Sequence, residues 1–140
     1  VWVIFEGLDK AGKGTLEREF LKATNFKHIV IDRGPAGYAT FDSIFDRVTR
    51  EGIEQYAKNV NSMVQSEGDF VVIYCKVPTD VAMKRLKEHN ESCPYDYEFA
   101  QERYNEAIEM LYDDFGIKVI TIDTTKSIEE CVNLIVGGLK

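Results

Sequence analysis

A chain of 140 residues with 44% hydrophobic content can build one ordinary core, and its net charge of −7 leaves no basic face for general nucleic-acid binding. No apolar run reaches membrane-spanning length and no signal peptide is visible, so the composition predicts a cytoplasmic protein with no membrane and no nucleic acid as partner. The three cysteines, Cys75, Cys93 and Cys131, are odd in number and lack metal-ligand spacing, which fits a reducing compartment.

The first predicted element is a buried strand over Val1–Phe5. The stretch Phe5-Glu6-Gly7-Leu8-Asp9-Lys10-Ala11-Gly12-Lys13-Gly14-Thr15 follows it and opens a helix over Leu16–Ala23. Strand, glycine-rich loop and helix in that order form the layout of a phosphate-binding P-loop. Successive backbone N–H groups of such a loop turn inward around a nucleotide's phosphates. Gly7 and Gly12 permit the tight path, and Lys13 brings a full positive charge to the β- and γ-phosphates. Gly7, Lys10, Ala11, Gly12, Lys13, Gly14 and Thr15 are therefore the predicted phosphate-binding residues. The pattern departs from G-x-x-x-x-G-K-[ST] at one place, because Gly14 follows the lysine and the hydroxyl comes at Thr15. Thr15 is expected at the α-phosphate, and Mg²⁺ is expected to rely on phosphates and water.

Ile29–Asp32 is the second predicted strand. It delivers Asp32 beside the loop, either to orient Mg²⁺ through water or to accept a proton from the acceptor. Arg33 suits bidentate binding of an acceptor phosphate. Glu6 is either a structural hydrogen-bond acceptor or a second candidate base. Tyr38, Phe41, Ile44 and Phe45 recur at helical spacing, as do Ile53, Tyr56, Ala57, Val60 and Val64 beyond Gly52. Tyr38 and Phe41 either stack on an acceptor base or pack their helix. Phe70–Cys75 is the third strand. A helix over Asp80–Glu88 follows Pro78, with Thr79 as its N-cap. Within it Arg85 is the candidate to neutralise the transferring phosphate, with Lys87 and Arg103 as further cations. A lid-like segment at about 87–97 contains Cys93 as a free thiol in a polar loop. The helix Glu98–Tyr112 places Ala100, Tyr104, Ala107, Ile108 and Leu111 on one face. Val119–Ile122 is the fourth strand. Ser127 and Glu130 form a capping box for the last helix, which Gly137-Gly138 ends. Strand–helix alternation predicts a three-layer α/β/α fold with a parallel sheet of about four to five strands, as one domain over 1–140.

Glu6-Gly7-Leu8-Asp9-Lys10-Ala11-Gly12-Lys13 resembles the P-loop of thymidylate kinases, a family with an Asp at the place of Asp9. Val30-Ile31-Asp32-Arg33-Gly34-Pro35 resembles the Asp-Arg strand end of these and related deoxynucleoside kinases. Tyr38, Phe41-Asp42, Ile44-Phe45 and Arg47 are similar to the helix that follows it in phage-type members. Val77 to Leu86 resembles the passage towards the family's basic lid. The resemblance implies a P-loop kinase using ATP and Mg²⁺ on small nucleotide substrates, with dTMP or a related deoxynucleotide as acceptor. It implies that Asp9 meets the acceptor sugar hydroxyl and that Arg47 closes on the acceptor phosphate or base. It also implies a homodimer, paired through the exposed side of the Ile53–Val64 helix. The chain is shorter than family members. Only Thr24 to Lys27 stand where the family has a further strand and an Arg-Glu-Pro-type loop. The lid carries Arg85, Lys87 and His89 instead of several arginines.

Three activities stay open on the residues. A monophosphate kinase needs cations around an existing phosphate, which Arg33 and Arg47 supply. A deoxynucleoside kinase needs a carboxylate base at a 5′-hydroxyl, with Asp32 or Glu6 as candidates. A non-catalytic ATP-binding module needs only the loop. The Asp-Arg pair favours the first.

Overall fold

The computed structural model describes residues 2–45, 49–67 and 70–140. Its strands are β1 (Trp2–Glu6), β2 (Ile29–Asp32), β3 (Phe70–Lys76) and β4 (Lys118–Asp123). Its helices are α1 (Lys13–Ala23), α2 (Pro35–Ile44), α3 (Arg50–Glu67), α4 (Thr79–Glu88), α5 (Tyr97–Leu111) and α6 (Ile128–Gly138), with a 3-10 turn at Asp113–Phe115. The sheet order is β2-β1-β3-β4 and every pairing is parallel. This is the expected three-layer α/β/α arrangement, with four strands.

Strand parity assigns the two faces. In β1 and β3, Val3, Phe5, Val71, Ile73 and Cys75 pack with Leu16, Phe20, Cys131 and Ile135 of α1 and α6. Their alternates Ile4, Val72 and Tyr74 pack with Ala36, Ala39, Ala57, Tyr104 and Ile108 of α2, α3 and α5. β3 is central and buried along its length until Lys76, the pattern of a strand covered on both faces. Cys75 and Cys131 are buried core residues, and burial pushes the Cys75 thiol up to about 12.

Local sequence sets the helix ends. Asp96 caps α5, accepting from Phe99 N at 2.9 Å, and Ser127 caps α6, accepting from Glu130 N at 3.2 Å. The Thr79 N-cap is not found: Pro78 occupies that position and Thr79 is the first helical residue, with no side-chain cap bond. Proline fixes the extended entry into α4 by its own ring. α6 ends at Gly138 as expected, with Leu139 following as a C-cap of helical dihedrals rather than a left-handed glycine. Cys93 is half-buried against the core instead of standing in a solvated loop. Lys87 and Glu88 belong to α4 and Tyr97 to α5, so the lid-like segment is a shorter connection over 89–96. The side chains of Ile53, Val60 and Val64, on which a pairing face was expected, lie outside the described residues, as does Arg47. Among the described residues no helix is long and apolar enough to cross a membrane.

Candidate functional site

In a parallel sheet with this order, β1 sits where the connections diverge, to β2 on one side and β3 on the other. Ligand crevices form beyond the carboxyl ends of strands at such a point. The loop after β1, the Asp32-Arg33 end of β2 and Thr124 after β4 all converge there.

The loop from Gly7 to Gly12 leads into the first turn of α1. Gly7 has φ +149°, and a Cβ there would lie 2.7 Å from the Cys75 carbonyl oxygen; Gly12 has φ +80°. Both positions therefore require glycine. Gly12 is the N-cap of α1 and offers no side-chain acceptor. Helix geometry leaves the N–H groups of Lys13, Gly14 and Thr15 without intrahelical partners, a site for an anion. Other amides of the predicted cradle are engaged within the protein. Gly7 N donates to the Tyr104 hydroxyl at 2.9 Å, and Ala11 N to Leu8 O at 3.1 Å. The amides that the start of α1 leaves open lie in the Gly12–Thr15 half. Lys10 takes φ +64° and pairs with Glu91 at 2.9 Å.

Lys13 is nearly buried and forms an ion pair with Asp32, whose side chain is 63% exposed. Glu17, one turn beyond Lys13, also reaches Asp32. Burial and the hydrogen bond and charge of Asp32 push Glu17 up to about 7. Burial pushes Asp32 up as well, but hydrogen bonds from Lys13 and Glu17 outweigh it and hold Asp32 below its ordinary value. One exposed carboxylate beside a phosphate cradle fits Mg²⁺, which takes few protein ligands and fills its shell with phosphate and water.

Arg33 stands across the mouth at φ +61°, a strained conformation for a long side chain. Its Nη2 donates to Asp9 Oδ1 at 3.3 Å and Gly7 O at 3.4 Å, and its guanidinium lies over the Phe41 ring. Its Nε is buried with no hydrogen-bond partner. Asp9 thereby has the cationic neighbour that its place in an anion-binding loop demands. Tyr38 is 54% exposed and meets Tyr56 edge-on, on the outer side of α2.

Arg85 bridges two loops. It donates to Lys10 O at 2.7 Å and to Thr124 O at 3.0 Å, while Thr124 Oγ1 donates to Ala11 O at 2.6 Å. Arg103 lies on the outer face of α5, pairing with Glu106. His89 bonds Arg85 O through Nδ1.

Two cavities meet at the loop. One of about 320 Å³ is lined by Asp9, Lys13, Gly14, Arg18 and Arg33 among others. The other, of about 390 Å³, is lined by Thr15, Arg85, His89, Thr124, Lys126 and Ile128 among others. Lys10, Gly12 and Thr15 line both.

Of the two roles open to Glu6 in the sequence, one is found, and two further contributors, Tyr95 and Tyr97, escape sequence reasoning. Glu6 is fully buried and accepts from Gly34 N, Ala36 N, Gly37 N, Tyr104 and Tyr112. Its structural role is the one found. Even parity in β1 points it at α2 and α5, a signal available in the sequence once the strand is placed. Tyr95 and Tyr97 donate to Asp9 Oδ2 and Asp9 O at 3.3 and 3.2 Å, fastening the 89–96 connection to the loop tip. No local pattern announces those two contacts.

No family model matches the sequence, and no curated protein matches it significantly. Solved structures do match. The YorR protein from Bacillus subtilis, in complex with phosphorylated GDP, superposes with a TM-score of 0.79 at 16% identity, over 99% of this chain and 95% of that one. Deoxyadenosine kinase from M. mycoides with bound dCTP gives 0.69 at 15% identity, over 99% and 98%. The same enzyme with bound dATP gives 0.62 at 18%, over 99% of each chain. The fold is that of the P-loop kinases. Identities this low carry the fold and no more.

Proposed function

We propose that this chain transfers the γ-phosphate of ATP to a deoxynucleoside monophosphate, dTMP or a close relative, as the thymidylate kinase resemblance suggests. The observation that carries the reading is Arg33: a guanidinium lining the cavity of about 320 Å³, beside Asp9 and against the Phe41 ring. A planar guanidinium at that place suits a phosphate that is already on the acceptor.

The donor's phosphates lie on the amides of Lys13, Gly14 and Thr15, and its base extends into the cavity of about 390 Å³ beside Arg85 and Thr124. The acceptor enters the cavity of about 320 Å³ between Asp9 and Arg33. Lys13 exchanges Asp32 for the β- and γ-phosphates. Positioning and charge carry most of such a transfer, because its transition state spreads charge over the phosphoryl oxygens. Bound Mg²⁺ would neutralise phosphate charge, with Asp32 holding it through water. Arg85, expected from the sequence at the transferring phosphate, has its guanidinium bonded to the Lys10 and Thr124 carbonyls and lines the donor-base cavity, so its part is to hold the loop tip against Thr124. Asp9 takes the acceptor sugar hydroxyl.

A second reading, a deoxynucleoside kinase, draws support from the deoxyadenosine kinase neighbours. There Asp32 would take the proton of a 5′-hydroxyl, since Glu6 is fully engaged in the core. The test is ADP release with ATP, Mg²⁺ and a panel of deoxynucleosides and their monophosphates. Turnover dependent on a monophosphate supports the first reading and turnover dependent on a nucleoside the second. ATP binding without acceptor-dependent turnover would leave only a binding module.

A further inference from the structure

Glu6 and Tyr104 form a continuous buried chain from the donor loop to the acceptor side. The Gly7 N–H donates to the Tyr104 hydroxyl at 2.9 Å, and that hydroxyl donates to Glu6 Oε1 at 2.8 Å. Glu6 Oε1 also accepts from Gly34 N at 3.0 Å and Gly37 N at 3.1 Å, and Oε2 from Ala36 N at 2.9 Å. These amides belong to the turn that follows Arg33 and to the first turn of α2. The Glu6 carboxylate thus caps the positive end of α2 and fixes the turn that holds Arg33 at φ +61°. Burial and the neighbouring carboxylate push the Tyr104 phenol well above its ordinary value, so it keeps its proton and donates. Tyr112 also bonds Glu6, at 2.7 Å to Oε2, but no bond links it to the phosphate loop.

We infer that Tyr104 is a positioning residue for the proposed transfer: its hydroxyl sets the spacing between the donor loop and the Arg33 turn. The inference rests on the kinase reading. In-line transfer needs donor and acceptor within a fraction of an ångström of their productive separation, and small misplacements cost large factors in rate. Tyr104 acts through Gly7 and Glu6 and touches neither substrate.

Two hydroxyl deletions separate this role from simple core stability. Tyr104→Phe and Tyr112→Phe each remove one bond to Glu6, and each keeps its ring. Only the first frees the Gly7 amide. Both variants should lose similar stability in urea unfolding. Tyr104→Phe should lower kcat by about ten- to a hundredfold with the KM for ATP within about twofold, while Tyr112→Phe keeps kcat within about threefold. Equal kcat losses in the two variants, with an active wild type, would overturn the inference and leave the kinase reading standing. A wild type without acceptor-dependent turnover would overturn that reading, and the inference with it. Should Tyr104→Phe fail to fold, Tyr112→Phe decides alone: a tenfold fall in its kcat contradicts a bridge that runs through Tyr104.

Discussion

The Arg33 guanidinium lies 4.6 Å from the centroid of the Phe41 ring, two turns into the helix that Arg33 precedes. The pair converts an aromatic of α2 into a platform for the cation at the cavity of about 320 Å³, the proposed acceptor site. Gly37 makes room for the stem of that arginine, since a Cβ there would stand 2.1 Å from Arg33 Cγ. Stacking, the strained backbone and the Asp9 contact together restrict where the charge can sit. Arg33→Ala should raise the acceptor KM by about ten- to a hundredfold, the worth of one charge-assisted contact, with the ATP KM little changed. Arg33→Lys should recover little of it, because an ammonium neither stacks flat nor forks. Equal rises in the two KM values would remove Arg33 from the acceptor site.

Lys13 is the only cation among the described residues in an ion pair with Asp32. Lys13→Met should reduce kcat/KM by about 10²–10³-fold, the usual scale for loss of a transition-state charge partner. Steady-state ADP release measures it. Activity near wild type would mean that the anion cradle works without its ammonium.

Glu17 links folding to pH. Its folded value of about 7 lies above the 4.5 of an ordinary glutamate. Between those values the folded protein keeps a proton that the unfolded chain releases, so stability falls as pH rises through that window and levels off above about 7. The lowered Asp32 acts in the opposite sense and at lower pH, its contribution fading as pH drops below the ordinary 3.8. Glu17→Gln should therefore flatten the decline in Tm between pH 5 and pH 8. Parallel declines in wild type and variant would show that Glu17 does not titrate in that range.

Phe20 is fully buried, against Phe5 at 5.9 Å and His28 at 5.6 Å between ring centroids. Phe20→Ala should cost about 3–5 kcal/mol in denaturant unfolding, the transfer term plus a cavity. Asp96→Ala removes a single cap and should cost only about 1 kcal/mol. A reversal of that order would mean that α5 docks through its N-terminus more than the sheet docks through α1.

Much of the fold is local and was legible in order. β-branched runs bounded by polar turns mark the strands to within a residue or two, because a parallel sheet covered on both faces needs continuous apolar sequence. The glycine spacing before Lys13 locates the phosphate loop, since only those φ angles let the chain turn there. The Thr79 cap misled by one position, because capping preferences are weak beside the packing that decides where a helix starts, whereas the last helix ends at Gly138 as its sequence predicts.

Sequence by itself determined the elements, their alternation and the glycine loop that leads into α1 with Asp32-Arg33 close by. Tertiary structure alone decided which amides of that loop are engaged within the protein and which distant hydroxyls close on Glu6. It alone brought Tyr104, Tyr95 and Thr124 to the loop from distant positions. Those contacts join residues about a hundred positions apart, as Gly7 and Tyr104 are, 97 apart in sequence. No periodicity or motif encodes such a meeting; it follows from the order in which four parallel strands lie side by side.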